Sequence, residues 1–397
     1  VEFLIQNFGY QKYLRTFRII NYSKMSYNIL GINPFHNGSV CVLSDGEIVY
    51  FLEEERLTRK KQDANPFRVI LDILTKYEIN EVVVGGISQY DGFLNYTNED
   101  PFISLINKHF SYSTHIHYSK ISSKHHYSHL IHTYYNSGFK ESLGIVIDGG
   151  GSIVKNENGE EIIEKDSIFL CTPNKTTLLH SSGNLLDKLD NPFPINIGIA
   201  YGIISQNLGF GWGEEGKLMG LSSYGKYNPN IPPLFIGEKT NPKLIWQDNS
   251  QFSPFINQRQ HINLEKFPIN FKYDWHTNSN FDIHFEKDLA WRIQFDTQKL
   301  VGNYIEKYIK KTNLKKVCCA GGYFLNCVAN YYLTKRFPDV EFYFEPISHD
   351  GGTAIGAAFH RWKELNPNFK GKKQQTIYYG PQYSKEQLLE GIKKYVG

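Results

Sequence analysis

Residues 124–151 read KHHYSHLIHTYYNSGFKESLGIVIDGGG. This segment predicts a helix and a strand, and both contain candidate functional residues. His125 and His129 are four residues apart, so on a helix they lie on one face, where two imidazoles can hold one divalent ion. The turn residues 136–138 predict the end of that helix. The apolar run LGIVID then predicts a buried strand that ends on Asp148, before three glycines. α/β folds place their chemistry at such strand ends.

A histidine pair on a helix is also common without a metal, as core or surface histidines, so the spacing leaves both interpretations open. The zincin motif is absent, because it requires a glutamate where His126 stands. The sequence therefore excludes the commonest metalloprotease arrangement.

Composition bounds the remaining possibilities. A length of 397 residues predicts two or three domains or one large duplicated fold. The net charge of +3 neither requires nor excludes nucleic acid. Five cysteines without zinc spacing predict buried thiols in a reducing, cytoplasmic compartment. No run of 18 apolar residues exists, so we expect no membrane span. Residues 1–24 lack the apolar core of a signal peptide and are expected to be an extension before Met25.

The pattern of strands and helices appears twice along the chain. YNILGI, SVCVLSDG and EIVYFLEEE predict three strands, with a hairpin at Asp45-Gly46, followed by a helix near 67–77 and the strand EVVVGG. LGIVIDGGGSIV, DSIFLCT, KKVCCAGG and VEFYFEP predict a second set, with helices near 198–208, 286–311, 326–337 and 353–365. Within LGIVIDGGGSIV we expect a strand, a glycine-rich loop and a return strand beside the first. This repetition predicts an α/β fold of the actin-like, sugar-kinase and heat-shock ATPase class. The expected lobes are residues 25–138 and 139–362, with a cleft between them.

A doubly wound Rossmann sheet is the rival fold, but no GxGxxG motif follows the first strand. Each glycine-rich hairpin loop of the preferred fold would offer backbone N–H groups to a phosphate. Gly149 and Gly150 are the candidates in the loop after Asp148.

Two further loops contain candidate catalytic residues. His36 lies in the loop formed by residues 33–39, where its imidazole is a candidate general acid or base near neutral pH. A histidine that only caps this turn is the alternative. Lys61 belongs to a basic cluster after the third strand. This cluster either binds a phosphate or a carbonyl oxygen, or is simply a solvated strand end.

The segment GFGWGEEGKLMGLSSYG, residues 209–225, can wrap an anionic ligand and place Lys217, which follows Gly216, against it. It is not a Walker A loop, because the spacing differs and no Ser or Thr follows the lysine. A glycine-rich loop with a purely structural role is the alternative.

Two later strand ends repeat the pattern. Gly321 and Gly322 end a predicted strand and Asn326 stands on the first turn of the next helix, an arrangement that suits a nucleotide. Asp350 precedes two more glycines, as either a fourth metal ligand or a helix cap.

Several motifs together resemble the O-carbamoyltransferases of nodulation-factor and antibiotic tailoring. They are, in order, GINPFHNGSVCVLSDGEIVYFLEEERLTRKKQDA, KHHYSH, VIDGGG, GIAYGIISQNLGFGWGEEGKLMGLSSYG, CAGGYFLNCVAN and SHDGGTAIGAA. The resemblance spans about residues 27–362. It implies an actin-like domain, related to the tRNA threonylcarbamoyl-transfer protein, that moves a carbamoyl group from carbamoyl-adenylate to an acceptor hydroxyl.

The resemblance also implies roles for individual residues. The metal would be a divalent ion, with Fe²⁺ expected first and Mn²⁺ or Zn²⁺ as alternatives. His36 corresponds to a loop histidine needed for transfer, and Lys61 to a basic residue near the reacting group or the acceptor. The residues matching metal ligands are His125, His129, Asp148 and Asp350, and those matching the nucleotide-binding turn are Gly321, Gly322 and Asn326.

Two departures from the family pattern stand out. Family members have a carboxy-terminal domain that makes carbamoyl-adenylate from carbamoyl phosphate and ATP, and residues 363–397 resemble only its opening. The few apolar residues of this stretch predict one strand, around Ile377, and one helix after it. We therefore expect a separate domain or protein to supply the adenylate. Pro34 stands where family members often have a polar or acidic residue, which leaves part of that loop's role open.

Two other functions remain as alternatives. A sugar-kinase type phosphotransferase would use Asp148 as its base and would need no histidine pair. A non-catalytic nucleotide-binding subunit would not need the four ligands intact. For the carbamoyltransferase, the acceptor stays open among a sugar, an antibiotic or other small molecule, and a hydroxymethylated nucleobase.

Overall fold

The computed structural model describes residues 26–85, 117–121, 125–156, 158–185, 197–211, 213–231, 233–238, 241–244, 283–380 and 383–395. The predicted extension at 1–24 and most of the weakly patterned stretch at 87–118 lie outside these residues.

The first sheet has five strands in the order β3-β2-β1-β4-β5. Strands β1, β2 and β3 are antiparallel neighbours, and β4 and β5 continue the sheet in parallel. Asp45 and Gly46 both have positive φ in the β2–β3 turn, as an Asp-Gly hairpin requires. The strands are β1 (Asn28–Asn33), β2 (Ser39–Ser44), β3 (Glu47–Glu53), β4 (Glu81–Gly85) and β5 (His117–Ile121).

The second sheet repeats this order with later strands. Strand β6 pairs antiparallel with β8 and β8 with β9, while β12 and β13 extend the sheet in parallel on the other side of β6. The strands are β6 (Ser142–Ile147), β7 (Ile153–Lys155), β8 (Glu161–Cys171), β9 (Thr176–Leu185), β12 (Lys316–Ala320) and β13 (Glu341–Phe344). The predicted duplication is therefore present in the two sheets.

One predicted pairing is wrong. The segment after the three glycines was expected to return along β6, but the short strand β7 pairs with β8 instead. The antiparallel partner of β6 is β8, which runs beside β6 at its carboxyl end and beside β7 at its amino end. Eleven residues make β8 long enough to serve both neighbours.

Nine helices connect and cover the sheets in the part of the chain that is described. None of them is long and apolar enough to cross a bilayer. A two-stranded ribbon, β10 (Phe235–Glu238) and β11 (Asn241–Leu244), stands apart from both sheets. The helices are α1 (Glu55–Thr58), α2 (Phe67–Leu74), α3 (His125–Ser137), α4 (Ile197–Asn207), α5 (Glu215–Ser222), α6 (Ile283–Thr312), α7 (Cys327–Arg336), α8 (Thr353–Leu365) and α9 (Lys385–Tyr395).

Helices α3 and α8 pack against each other in the core between the two sheets. Helix α8 also lies on β1, β2 and β4, and α3 lies on β6 and β12. Two glycines permit this close approach: a Cβ atom on Gly356 would lie 2.0 Å from the Ser128 carbonyl oxygen, and one on Gly31 would lie 2.0 Å from that of Ala354. The tight packing brings the amino end of α8 to the helix that contains the histidine pair.

The predicted buried thiols are confirmed for four of the five cysteines. Cys41, Cys171, Cys318 and Cys319 are buried free thiols within the sheets, while Cys327 is exposed at the start of α7.

Residues 371–380 form no regular strand, although the sequence predicted one there. Their only backbone hydrogen bond to a sheet strand, among the described residues, is donated by Phe51 to the Tyr379 carbonyl oxygen. The predicted helix that follows is present as α9, and its apolar residues Leu388, Leu389 and Ile392 are exposed. The lobe boundaries predicted from the sequence stay a prediction.

Candidate metal centre

The four predicted ligands converge in one buried cluster. One nitrogen or oxygen atom from each of His125, His129, Asp148 and Asp350 lies within 4.8 Å of all the others. All four residues are buried. They come from three places in the chain: the first two turns of α3, the end of β6, and the 3₁₀ turn Asp350–Gly352 that leads into α8.

The spacing of these atoms matches the edges of a small coordination polyhedron. The His125 and His129 Nε2 atoms are 3.3 Å apart. His125 Nε2 lies 3.1 Å from Asp148 Oδ2 and 3.6 Å from Asp350 Oδ1, and His129 Nε2 lies 3.7 Å and 3.5 Å from the same atoms. Ligands placed tetrahedrally about 2.1 Å from one ion are about 3.4 Å apart. These five distances are close to that spacing, so the cluster could hold one metal ion.

The charges in the cluster point the same way. Burial and the Asp350 carboxylate favour protonation of Asp148, but its hydrogen bonds with His125 and His129 outweigh them and hold its pKa below the ordinary value. Asp350 is likewise buried, yet nearby imidazoles hold its pKa well below its ordinary value. Against the effect of burial, the two carboxylates raise the pKa of His125 to about 10. A divalent cation would take the place of the imidazole protons as the counter-charge of the two carboxylates.

The first turn of α3 is held by a strand of the second sheet. Glu164 on β8 accepts hydrogen bonds from the backbone N–H groups of His126 (3.1 Å) and Ser152 (3.0 Å). The Ser152 hydroxyl in turn accepts the N–H of His125 at 3.0 Å. These bonds satisfy N–H groups that a helix leaves open at its start, and they fix the direction of the first ligand.

Asp148 is oriented by the glycine turn after β12. Its Oδ1 accepts the backbone N–H of Gly322 at 3.0 Å, which leaves Oδ2 facing His125. Gly321 has a φ of 92°, and a Cβ atom there would lie 2.3 Å from the Ile147 carbonyl oxygen. Only glycine permits this contact, so the predicted nucleotide turn also has a structural role beside the cluster.

His36 lies at the edge of the cluster. Its Nε2 is 3.0 Å from Asp350 Oδ2, while 56% of its side chain is exposed. The Asp350 carboxylate raises the pKa of His36 to about 9 against the opposing effect of burial. The loop is fixed nearby by Ser39, whose buried hydroxyl donates to the Gly351 carbonyl oxygen at 2.7 Å. His36 is thus positioned between the buried ligands and the outside.

Lys61 and Lys217 both contact a different place, the loop before α5. The Lys61 ammonium donates to the Gly213 carbonyl oxygen at 2.8 Å, and Lys217 pairs with Glu214 at 2.7 Å. Gly216 directly precedes Lys217, and a Cβ atom on Gly216 would meet nothing within 4 Å. The structure brings the two lysines to one loop.

Asn326 has a structural role in this structure. Its Oδ1 caps α7 by accepting the Ala329 N–H at 2.9 Å, and its amide donates to Gln294 at 2.8 Å. The side chain is buried. Its predicted contact with a nucleotide stays a prediction.

The sequence prediction missed three residues at the site, all near one point on β8: Ser152, Glu164 and Lys165. A signal was present, because Glu164, Lys165 and Asp166 interrupt an otherwise apolar strand pattern, IIEKDSIFL. Three consecutive charged residues that are all buried are rare in strands and indicate a site.

Comparison with known proteins gives a family match. The family model described as "Carbamoyltransferase N-terminus" matches residues 103–359. The chain is 26% identical over 391 residues to the nodulation protein NolNO of Sinorhizobium fredii, covering 93% of this chain and 52% of NolNO. It is 28% identical over 389 residues to an uncharacterized protein of Methanocaldococcus jannaschii, covering 92% of this chain and 63% of that one. The chain thus spans about half to two-thirds of the length of these relatives.

A solved structure of full-length HypF, in its phosphate- and nucleotide-bound form, has a similar fold. The TM-score is 0.50 at 13% identity, covering 86% of this chain and 56% of HypF. This likeness confirms the predicted fold class, a mixed α/β architecture of the actin-like type.

Proposed function

Because this chain belongs to the carbamoyltransferase family, as the match over residues 103–359 shows, we propose that it transfers a carbamoyl group from carbamoyl-adenylate to a hydroxyl acceptor. The observation that carries this proposal is the buried ligand cluster with the exposed His36 directly beside it. The acceptor is a small molecule, a sugar or a modified nucleoside. The adenylate, formed from carbamoyl phosphate and ATP, reaches the site from a separate domain or protein.

The four ligands would hold one divalent ion, with Fe²⁺ as the family resemblance implies and Mn²⁺ or Zn²⁺ as alternatives. Such an ion supplies a Lewis acid for phosphate or carbonyl oxygens of the donor. The mixed imidazole and carboxylate set disfavours Mg²⁺, which prefers oxygen ligands in an octahedron.

The transfer step needs a group that handles one proton. The acceptor oxygen attacks the carbamoyl carbon, the bond from that carbon to the phosphate oxygen breaks, and AMP leaves with the bonding electron pair. The acceptor's proton passes to the deprotonated form of His36, the exposed histidine beside the cluster, and this form becomes more populated as the pH rises towards its pKa of about 9. Asp350 orients the imidazole through its Nε2, as an acid partner orients the histidine of other transfer sites.

The glycine loop after β6 is the proposed binding site for the phosphate of the donor. The amino end of α4 packs against it, since a Cβ atom on Gly198 would lie 2.9 Å from the Asp148 carbonyl oxygen and 3.3 Å from the Gly149 nitrogen. The N–H groups of a helix start and of a glycine loop favour an anion. Lys217, in the first turn of α5, and Lys61, which contacts the loop before α5, are the proposed cations of the donor and acceptor sides.

The phosphotransferase alternative is disfavoured by the geometry of Asp148. Both of its carboxylate oxygens are engaged, one by the Gly322 N–H and the other by His125. A kinase-type base must instead reach the substrate hydroxyl with a free oxygen. The non-catalytic alternative does not account for the geometric fit of the four ligands.

The experiment supplies preformed carbamoyl-adenylate to the metal-loaded protein with a panel of hydroxyl compounds. AMP release and a mass increase of one acceptor by a carbamoyl group are expected. A control lacks the protein, because the adenylate hydrolyses by itself. Absence of both acceptor modification and protein-dependent AMP release, with metal bound, would overturn the proposal.

A further inference from the structure

Lys165 is a buried lysine that neither the sequence patterns nor the proposed transfer step uses. It is 5% exposed, although lysine is almost never fully buried without a partner. Its ammonium donates to the Gly149 carbonyl oxygen at 2.7 Å. Its own carbonyl oxygen accepts the Asp148 N–H at 3.1 Å. Lys165 therefore forms hydrogen bonds with two successive residues, Asp148 and Gly149, where β6 leads into the glycine loop.

A β-bulge places the side chain there. On β8, Glu164 is opposite Gly183 and Asp166 is opposite Ser182, so Lys165 is the extra residue without a partner on β9. Bulges turn a side chain away from the regular alternation and are frequent next to active sites. The bulge also lies where β8 changes its partner from β6 to β7, directly beneath the loop.

The bond to Gly149 sets the orientation of the next peptide. In a trans peptide the carbonyl and the following N–H point in opposite directions. The Gly149 carbonyl faces the buried ammonium, so the Gly150 N–H faces the outer side of the loop. No described residue accepts a hydrogen bond from the backbone N–H groups of Gly149, Gly150 or Gly151. Consecutive N–H groups of this kind form an anion-binding concavity.

Another lysine of the chain shows what a purely structural ammonium looks like. Lys363 donates to three carbonyl oxygens, of Pro173, Pro367 and Phe369, at 3.0, 2.6 and 2.9 Å. Its three N–H donors are all used in joining backbone segments. The Lys165 ammonium donates to one carbonyl oxygen, that of Gly149, and it also interacts electrostatically with the Asp148 carboxylate.

We propose that Lys165 is the positioning residue of the donor-phosphate site: it holds the Gly149 carbonyl inward so that the loop N–H groups face the phosphate, and its charge offsets that of the phosphate. This inference rests on the proposed function, because it assigns the loop to the adenylate's phosphate. Lys165 acts through the loop conformation and through the electrostatic attraction of its charge. Its removal should therefore weaken the binding of ligands that have a phosphate and leave the binding of ligands without one unchanged.

The test measures the dissociation constants of AMP and adenosine by calorimetry for the metal-loaded wild type and Lys165→Met. The variant keeps the length of the side chain, and the backbone bond to Asp148 is unaffected. We expect the preference for AMP over adenosine to fall about tenfold or more, the size of a charge-assisted hydrogen bond, with metal content unchanged. Lys363→Met is the matched control and should keep the wild-type preference.

The outcomes separate this inference from the proposed function. Wild-type protein that binds neither ligand would overturn the donor site and, with it, the role of Lys165. An unchanged preference in folded, metal-loaded Lys165→Met, or an equal fall in Lys363→Met, would overturn the role of Lys165 alone. If Lys165→Met does not fold, Lys165→Gln replaces it. That variant keeps an N–H donor but loses the charge, so a fall in the preference for AMP supports the inference and an unchanged preference in folded protein overturns it.

Discussion

The Nε2 atom of His36 lies 3.0 Å from Oδ2 of Asp350, so the first hairpin loop of the chain touches the turn that leads into α8. The other oxygen of Asp350 faces the two histidines of α3. One carboxylate therefore joins an exposed histidine to a buried ligand cluster. This arrangement allows metal binding and proton transfer to be tested separately.

Replacing His129 with alanine should abolish metal binding. The purified wild type should contain about one equivalent of a first-row metal, and the variant close to none, because three ligands without the second imidazole leave the site incomplete. Elemental analysis measures this. His132→Ala is the control, since His132 is buried on the same helix but pairs with Glu345 instead. Equal metal content in the wild type and His129→Ala would contradict the site.

Replacing His36 with alanine should slow transfer without removing the metal. A general acid–base residue typically contributes about 10²–10⁴ in rate, so kcat for acceptor carbamoylation should fall by that factor. Metal content should stay at the wild-type level, because His36 is not one of the four clustered ligands. His360→Ala, on the outer part of α8, should leave kcat unchanged. An undiminished kcat in His36→Ala would remove this residue from the mechanism.

Replacing Glu164 with alanine should weaken the metal site indirectly. Its carboxylate holds the N–H groups of His126 and Ser152, and loss of such supporting bonds typically lowers metal affinity about 10–100-fold. Competition with a chelator measures the apparent affinity. Glu164→Gln keeps an acceptor oxygen and should stay close to the wild type. The exposed Glu160→Ala is the control. Unchanged affinity in Glu164→Ala would show that the first turn of α3 is held by other contacts.

AMP should stabilise the folded protein. A ligand that binds only the native state at 100 times its dissociation constant adds about 2.7 kcal/mol to the free energy of unfolding. Denaturant titration with and without AMP measures the gain. Lys217→Ala should reduce the gain if the loop before α5 contacts the phosphate, and the exposed Lys310→Ala should not. No gain with AMP, ATP or an adenylate analogue, with metal present, would contradict a nucleotide site.

Stability should fall as the pH rises from about 4.5 to 7, in part because of Glu345. Burial raises its pKa from the ordinary 4.5 to about 7. The folded state therefore binds the proton more tightly than the unfolded state. The resulting contribution to stability is fully present below pH 4.5 and is lost as the pH rises to 7. The difference corresponds to about 3 kcal/mol. The groups facing this carboxylate are His132, Asn136, Tyr343 and the backbone N–H of Ile347.

Glu345→Gln should remove that part of the pH dependence. Urea titrations at several pH values should show the variant gaining on the wild type as the pH rises, because a neutral amide avoids the larger cost of burying an ionised carboxylate above pH 7. The exposed Glu341→Gln is the control and should follow the wild type. Parallel pH curves for Glu345→Gln and the wild type would contradict the raised pKa.

The local features of the site are determined by residues that are close together in the sequence. The spacing of His125 and His129 places both imidazoles on one helical face, and the apolar run before Asp148 predicts a strand that ends there. The Asp45-Gly46 turn and the repeated strand order follow from local pattern as well. Such features depend on backbone periodicity and turn chemistry, which a few consecutive residues determine.

Tertiary structure alone decided which distant residues meet. Asp350 joins the histidines because Gly356 lets α8 approach α3 to backbone contact, and His36 joins Asp350 because β1 and β2 lie on α8. The burial of Glu164 and Lys165 depends on a bulge and on the strand that β8 pairs with, neither of which has a local period. The antiparallel partner of β6, which is β8 and not β7, was mispredicted for the same reason. Contacts between distant segments are selected by packing and by compensation of buried charge, and these exist only once the two sheets and the helices between them are assembled.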